Sequence, residues 1–251
     1  MSGHSKWSQI KRQKGASDAK RGQLFTKLAR EIMVAVREAG PNPDSNFRLR
    51  LVIQKARDNN MPSENIERAI KKGSGTLEGV SLTELMLEGY GPAGVAVMVQ
   101  ALTDNRNRTL QEVRNLFSRH GGNMGESGCV AWIFDNRGVI TVDTSDGVDV
   151  ESLALTAIDA GADDVRVEKG FLEVITTPQN LEPVRKAIEA VKPVISAEVS
   201  RVPKTTLVLG EKEALQTLKL LDHLEEMDDV QRVFANIDYS EAVLEKLRTM
   251  A

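Results

Sequence analysis

Apolar residues recur every three or four positions through the first third of the chain. Leu24, Leu28, Ile32 and Ala35, with Phe25, Ala29 and Val36 widening the stripe, predict an amphipathic helix over Asp18–Ala39. Gly40-Pro41-Asn42-Pro43 ends it, because glycine suits a helix C-terminus and proline cannot continue one. Leu49, Val52, Ile53 and Ala56 predict a second helix over 45–59. Ile66, Ala69 and Ile70 predict a third, opened by Met61-Pro62-Ser63 and closed by Gly73-Ser74-Gly75. Three short striped helices make a small bundle.

Past the glycine-containing linker of 73–79 the apolar period falls from about 3.6 to 2. Strands are predicted over 82–88 and 95–102, joined through Gly89-Tyr90-Gly91-Pro92. A polar loop at 104–108 leads into a helix carrying Leu110, Val113, Leu116 and Phe117, and a further strand is predicted over 130–134. Strand 138–142, helix 150–160, strands Asp164–Glu168 and Phe171–Thr176, helix 181–191 and strand 196–202 follow. Their order, β-α-β-β-α-β, is that of a ferredoxin-like unit. A short strand at 207–209, a helix over 212–226, a strand over Val230–Ala235 and a final helix from Ser240 are too few for a core of their own. They are expected to pack back on the strands of 80–134. The expected fold is therefore α+β: an N-terminal helical bundle followed by two α/β-type domains, the last ferredoxin-like and inserted in the second. Expected boundaries are 1–75 for a basic arm with the three helices, 80–134 plus 205–251 for the middle domain, and 135–204 for the insertion.

Charge changes this picture more than composition does. The 251 residues are 41% hydrophobic and 27% charged, as in a folded chain, with only 4% aromatic, so the core must be built from Leu, Val, Ile and Ala. The formal net charge of −3 hides a division. Residues 1–72 hold 16 Lys and Arg against 7 Asp and Glu, a net of +9; the remaining 17 basic and 29 acidic residues leave −12. Such asymmetry points to a basic module that contacts a polyanion at one end of the molecule.

The densest positive run holds Lys6, Lys11, Arg12, Lys14, Lys20, Arg21, Lys27 and Arg30 against the single acid Asp18. Charges so close repel one another unless phosphates neutralise them and release condensed counterions; the bland alternative is a solvated tail. Trp7 lies inside the run and either stacks on a base or tethers the arm to the bundle. Arg106 and Arg108, two apart before a helix that Thr109 could cap, offer a phosphate clamp. The competing reading is that Asp104 and the asparagines only satisfy a turn. The acidic run Glu225-Glu226-Met227-Asp228-Asp229 reads as a solvated face.

Catalytic signatures are absent: no phosphate-binding GxxxxGK[ST] loop, no GxGxxG after a strand, no HExxH and no GxSxG. The single cysteine, Cys129, lies in the strand-like run CVAWIF and reads as a buried inert thiol. His4, His120 and His223 have no metal-ligand spacing. The expectation is a non-enzyme with no cofactor, no metal and no small-molecule substrate.

At GHSKW (3–7), KGASDAKRGQLFTKLAREI (14–32), NMPSENIERAIKKG (60–73), EGYGPAGVAVMVQALTDNRNRT (88–109) and GGNMGESGCVAWIF (121–134) the chain resembles the YebC/PmpR family, which includes a mitochondrial translational activator. The resemblance covers nearly the whole length and weakens after about residue 135. Phe47 stands where the family often has proline, and Cys129 where a small residue is common. The resemblance implies three domains, with a ferredoxin-like domain inserted into an α/β domain, and a regulatory role linked to nucleic acid. Some members are described as DNA-binding transcriptional regulators; others are similar to ribosome-associated factors that help the ribosome through proline runs. No apolar run approaches the ~20 residues that cross a bilayer. The first fifteen residues lack the apolar region of a secretory signal, and the resemblance begins within them, so a cytoplasmic protein without a removable leader is expected.

The function expected is a DNA-binding transcriptional regulator acting on duplex DNA through the arm and bundle. The alternatives are a ribosome-associated translation factor that binds ribosomal RNA, and a protein-interaction module.

Overall fold

The computed structural model describes residues 18–77, 82–168, 170–239 and 243. Lys6, Trp7, Lys11, Arg12 and Lys14 lie outside the described residues, as does the final helix expected from Ser240 except for Val243. Contacts divide the chain into two compact units, one of Phe134–Lys204 and one built from the segments on either side of it.

In the larger unit the bundle comprises α1 (Asp18–Ala39), α2 (Phe47–Asp58) and α3 (Ser63–Gly73). Its core is the predicted stripes: Leu28, Ile32, Ala35 and Val36 from α1 meet Leu49, Val52, Ile53 and Ala56 from α2 and Ile66 and Ala69 from α3. Asn46 joins the first two helices. Its side-chain amide donates to the Ala35 and Gly40 carbonyls at the end of α1, while its carbonyl oxygen caps α2 by accepting from Leu49 N–H at 2.9 Å. Phe47 is thus the first residue of α2, where the family's proline is also tolerated because that N–H needs no helical partner. Gly73 lets α3 close on α1: a Cβ there would lie 2.9 Å from the Met33 carbonyl oxygen.

The rest of this unit is built on β1 (Thr83–Tyr90), β2 (Ala96–Thr103), α4 (Arg106–Arg119) and β3 (Asn123–Met124). Beyond the second unit the chain returns with β8 (Leu207–Val208), α7 (Glu211–Glu226), β9 (Val230–Ala235) and β10 (Ile237–Asp238). The main sheet has the order β3-β1-β2-β9 and is antiparallel, with β9 pairing Ala235 to Val97 and Val233 to Val99. Val113 and Phe117 of α4 and Leu218, Leu221 and Leu224 of α7 share one core with Val97, Val99 and Val233. The C-terminal elements pack on this sheet because a four-stranded sheet needs its apolar face covered.

The second unit runs β4 (Phe134–Asp143), α5 (Val150–Asp159), β5 (Asp164–Glu168), β6 (Phe171–Thr176), α6 (Leu181–Glu189) and β7 (Val194–Pro203). Its antiparallel order β5-β6-β4-β7 is the ferredoxin-like arrangement. The fold is α+β throughout. Of the elements expected from sequence, 130–134 is not a strand. Ala131–Ile133 forms a short 3-10 turn, and the strand starts at Phe134.

Candidate nucleic-acid interface

Sequence reasoning singled out cations on α1 and at the start of α4, and the larger unit holds both. Arg21 is exposed on the first turns of α1. Lys20 lies on the same helix, but its side chain is outside the described set. Lys27 and Arg30 turn inward. Gln23, Lys27 and Arg30 recur at spacings of four and three and form a polar stripe along one side of α1. The stripe docks on the C-terminal end of α7. Gln23 Nε2 donates to the Glu226 carbonyl at 2.6 Å, Lys27 Nζ to the Glu225 carbonyl at 2.5 Å, and Arg30 Nη1 to the Asp228 carbonyl at 2.5 Å. Carbonyls at a helix C-terminus carry the negative end of the helix dipole, which is what a cation seeks.

Asp229 is the centre of this contact. Its residue is 6% exposed, and its carboxylate accepts from Arg30 Nη1 at 3.0 Å, Arg108 Nη2 at 2.8 Å, Thr103 Oγ1 at 3.0 Å and Thr109 Oγ1 at 2.7 Å. Burial opposes ionisation of this carboxyl, but the hydrogen bonds from Arg108, Thr109 and Thr103 outweigh it and hold its pKa below the usual aspartate value. Arg108 in turn is held above its ordinary value by the hydrogen bonds to Asp229 and Asp104. The run 225–229 is therefore not a solvated face: part of it is the socket for α1. Its acids were misread because nothing local in the sequence shows that a helix 200 residues earlier carries the matching cations.

The loop before α4 makes the contacts of a satisfied turn. Asn105, not Thr109, caps the helix by accepting from Arg108 N–H at 3.1 Å, and Thr109 is instead a buried donor to Asp229. Arg108 binds Asp104 at 2.9 Å as well as Asp229. Arg106 alone stands exposed with no hydrogen bond or ion pair among the described residues. Sequence reasoning passed over a second set of cations. Arg50 and Arg57 on α2, and Arg68, Lys71 and Lys72 on α3, are exposed and have no ion pair among the described residues. Arg50 lies over the Phe47 ring, 5.8 Å from its centroid. Their signal was the +9 total, spread over helices whose polar faces looked ordinary.

Residues 5–76 match the N-terminal domain of TACO1/YebC proteins, and residues 82–237 match the TACO1/YebC second and third domain. The chain belongs to the TACO1/YebC family. One relative, from Dehalococcoides mccartyi (strain ATCC BAA-2266 / KCTC 15142 / 195), is 56% identical over 252 residues that span 100% of each chain. Another, from Geobacter sulfurreducens, is 54% identical over 98% of this chain and 100% of its own. Both bear the name probable transcriptional regulatory protein. The crystal structure of a conserved hypothetical protein from Aquifex aeolicus superposes with a TM-score of 0.83 at 49% identity, over 89% of this chain and 93% of that one. Among the described residues of this TACO1/YebC protein, no helix is long and apolar enough to cross a membrane.

Cys129 departs from its expected setting. It is half-buried in a turn, not buried in a strand, and burial followed by the nearby Glu88 carboxylate pushes its thiol pKa up. A raised thiol pKa makes a poor nucleophile at neutral pH.

Proposed function

We propose that this protein is a DNA-binding regulator of transcription that grips the phosphate backbone with the cations of its first 75 residues. The observation that carries the reading is the set of exposed cations on α2 and α3, Arg50, Arg57, Arg68, Lys71 and Lys72, which have no ion pair among the described residues. They belong to the same basic segment as Lys6, Lys11, Arg12, Lys14, Lys20 and Arg21. Cations this numerous in one segment repel one another, and a polyanion relieves that repulsion. The names of the relatives from Dehalococcoides mccartyi and Geobacter sulfurreducens support a role in transcription. In this reading 1–75 is the binding domain, with Trp7 and Arg106 as further contacts. The domain of 80–134 plus 205–251 holds it through the Asp229 socket, where Lys27, Arg30 and Arg108 position the bundle. The insertion of 135–204 is left for other contacts.

The test is duplex DNA affinity as a function of salt. Contact with four to eight phosphates gives a log–log slope of roughly −4 to −7. Replacing Lys11, Arg12 and Lys14 with Gln makes that slope shallower by about 2–3, with folding unchanged. Equal slopes for variant and parent place the binding charge elsewhere. Crosslinking in living cells then identifies the partner. Recovery of a few promoter regions is the expected result; recovery of ribosomal RNA around one functional centre overturns the transcriptional reading in favour of a translation factor.

A further inference from the structure

Four basic side chains gather where α4 ends against α7. His120 caps the C-terminus of α4, and its ring centre lies 4.9 Å from that of His223, in the last turn of α7, with the planes tilted by 30°. Gln216 ties the helices together here, its Nε2 donating to the His120 carbonyl at 3.4 Å. His223 Nδ1 lies 2.7 Å from the Lys219 carbonyl, so Nδ1 carries a proton and the neutral ring keeps its lone pair on Nε2. Arg119 and Lys219 are exposed, and neither has an ion pair among the described residues. Burial, then His223, Lys219 and Arg119, hold the His120 pKa below the ordinary imidazole value. The charges that bear on His120 are thus positive from both helices, and the adjoining residues 121–124, GGNM, bring none. Of the acids on these helices, Glu226, three residues past His223, and Glu112, seven before Arg119, form no ion pair with the cluster among the described residues. Asp222 and Glu225 bear instead on Tyr239.

Helix dipoles explain part of this arrangement, since a cation in the last turn of a helix is stabilised by the carbonyls there, which suits Arg119 and His223. They do not explain Lys219, two turns inside α7, or two rings placed where each opposes the other's protonation. A metal ion is a poor occupant. No third His, Cys, Asp or Glu completes a ligand set among the described residues, and Arg119 and Lys219 would repel it. An anion reverses every one of these relations. From this geometry we infer that Arg119, His120, Lys219 and His223 form a phosphate-binding site for the backbone of a nucleic-acid strand. Arg119 offers a guanidinium fork and Lys219 an ammonium, and a phosphodiester between them favours the imidazolium form of the rings. Binding therefore takes up protons. Affinity rises as pH falls through the interval between the free and the bound imidazole values, by up to about tenfold per pH unit for each proton taken up. The inference rests on the proposed nucleic-acid reading. It adds a contact on the middle domain, outside residues 1–75, whose strength is set by pH.

The experiment uses the full chain with a labelled DNA duplex and a labelled RNA hairpin of equal stem length, their anisotropy followed against salt and pH. Replacing Arg119 and Lys219 together with Gln should make the log–log salt slope shallower by about 1–2. His120→Gln combined with His223→Gln should leave affinity at about pH 8 within roughly twofold of the parent. The same pair should remove a gain of about tenfold that the parent shows between about pH 7.5 and 5.5; His4 titrates in both proteins and cancels. Nuclear magnetic resonance gives a second readout in the parent itself, where the ring protons of His120 and His223 should move toward their imidazolium positions when nucleic acid binds. Should a variant's circular dichroism differ from the parent's, those resonances alone carry the test. Binding by the parent, with the same salt slope and pH profile in both variants and unmoved rings, overturns the site while the proposed function stands. Rings that respond to inorganic phosphate but to neither nucleic acid overturn it in favour of a small phosphorylated ligand. If the hairpin moves the rings and the duplex does not bind, the site stands and the duplex reading falls. A parent that binds neither nucleic acid overturns both.

Discussion

Replacing Asp229 with Ala should loosen the bundle from the sheet while leaving the ferredoxin-like unit intact. The carboxylate takes four hydrogen bonds, two from guanidinium groups and two from the buried hydroxyls of Thr103 and Thr109. Hydrogen bonds to a charged group contribute about 1.5–3 kcal/mol each, and removing one partner of a fully buried ion pair costs about 3–5 kcal/mol. The cost here is smaller. The Arg30 and Arg108 side chains are 21% and 44% exposed and can rehydrate, and the Thr109 hydroxyl, once released by Asp229, can donate to Thr103 Oγ1, 2.8 Å away. A net loss of about 2–3 kcal/mol follows, or roughly 4–12 °C in melting temperature for a unit of this size. Because the chain has two compact units, one unfolding curve is ambiguous; hydrogen exchange resolves them. Amides of α1 should lose protection in Asp229→Ala while those of β4 and β6 keep it. The sign of the pH effect follows from the depressed pKa of Asp229. Its contribution is fully present above the unfolded aspartate value of about 3.9 and is lost as pH falls through the lower folded value. The stability difference between parent and variant should therefore be constant near neutrality and shrink below about pH 4. Unchanged α1 protection in the variant would refute the socket.

Other substitutions test neighbouring features. Glu88→Ala removes the acceptor for three backbone donors and should lower stability by about 2–4 kcal/mol in urea denaturation, with Glu88→Gln intermediate; a loss under about 0.5 kcal/mol would mean that water replaces the carboxylate. Tyr239 is 4% exposed, and its hydroxyl has no hydrogen-bond partner among the described residues. Burial, then Asp222, Glu225 and Asp238, pushes its pKa above the ordinary value. Tyr239→Phe should therefore gain about 1 kcal/mol, and a loss of stability by the same assay would reveal a missing partner.

The periodic elements were legible before any coordinates because each is a local repeat. The stripe of Leu28, Ile32 and Ala35 gives α1 its bounds, and the β-α-β-β-α-β order gives the ferredoxin-like unit. Elements without a repeat were missed. β3 is two residues long, too short to show a period. Val130, Trp132 and Phe134 alternate as a strand would, yet the chain turns there because Glu88, some forty positions earlier, captures three of its N–H groups. The cationic character of the first 75 residues was likewise legible, since charge is additive along the chain. Which cations remain available was not.

Sequence by itself thus determined the α+β fold, the family and the location of positive charge, all of which follow from neighbouring residues or from sums over them. Tertiary structure decided that Lys27, Arg30 and Arg108 hold the protein together while Arg50, Arg57, Arg68, Lys71, Lys72 and Arg106 face water. It also decided that Trp132 is presented outward rather than buried. The physical reason is the same in each case: an ion pair or a hydrogen bond acts over about 3 Å in space, and the partners here lie up to two hundred residues apart in the chain.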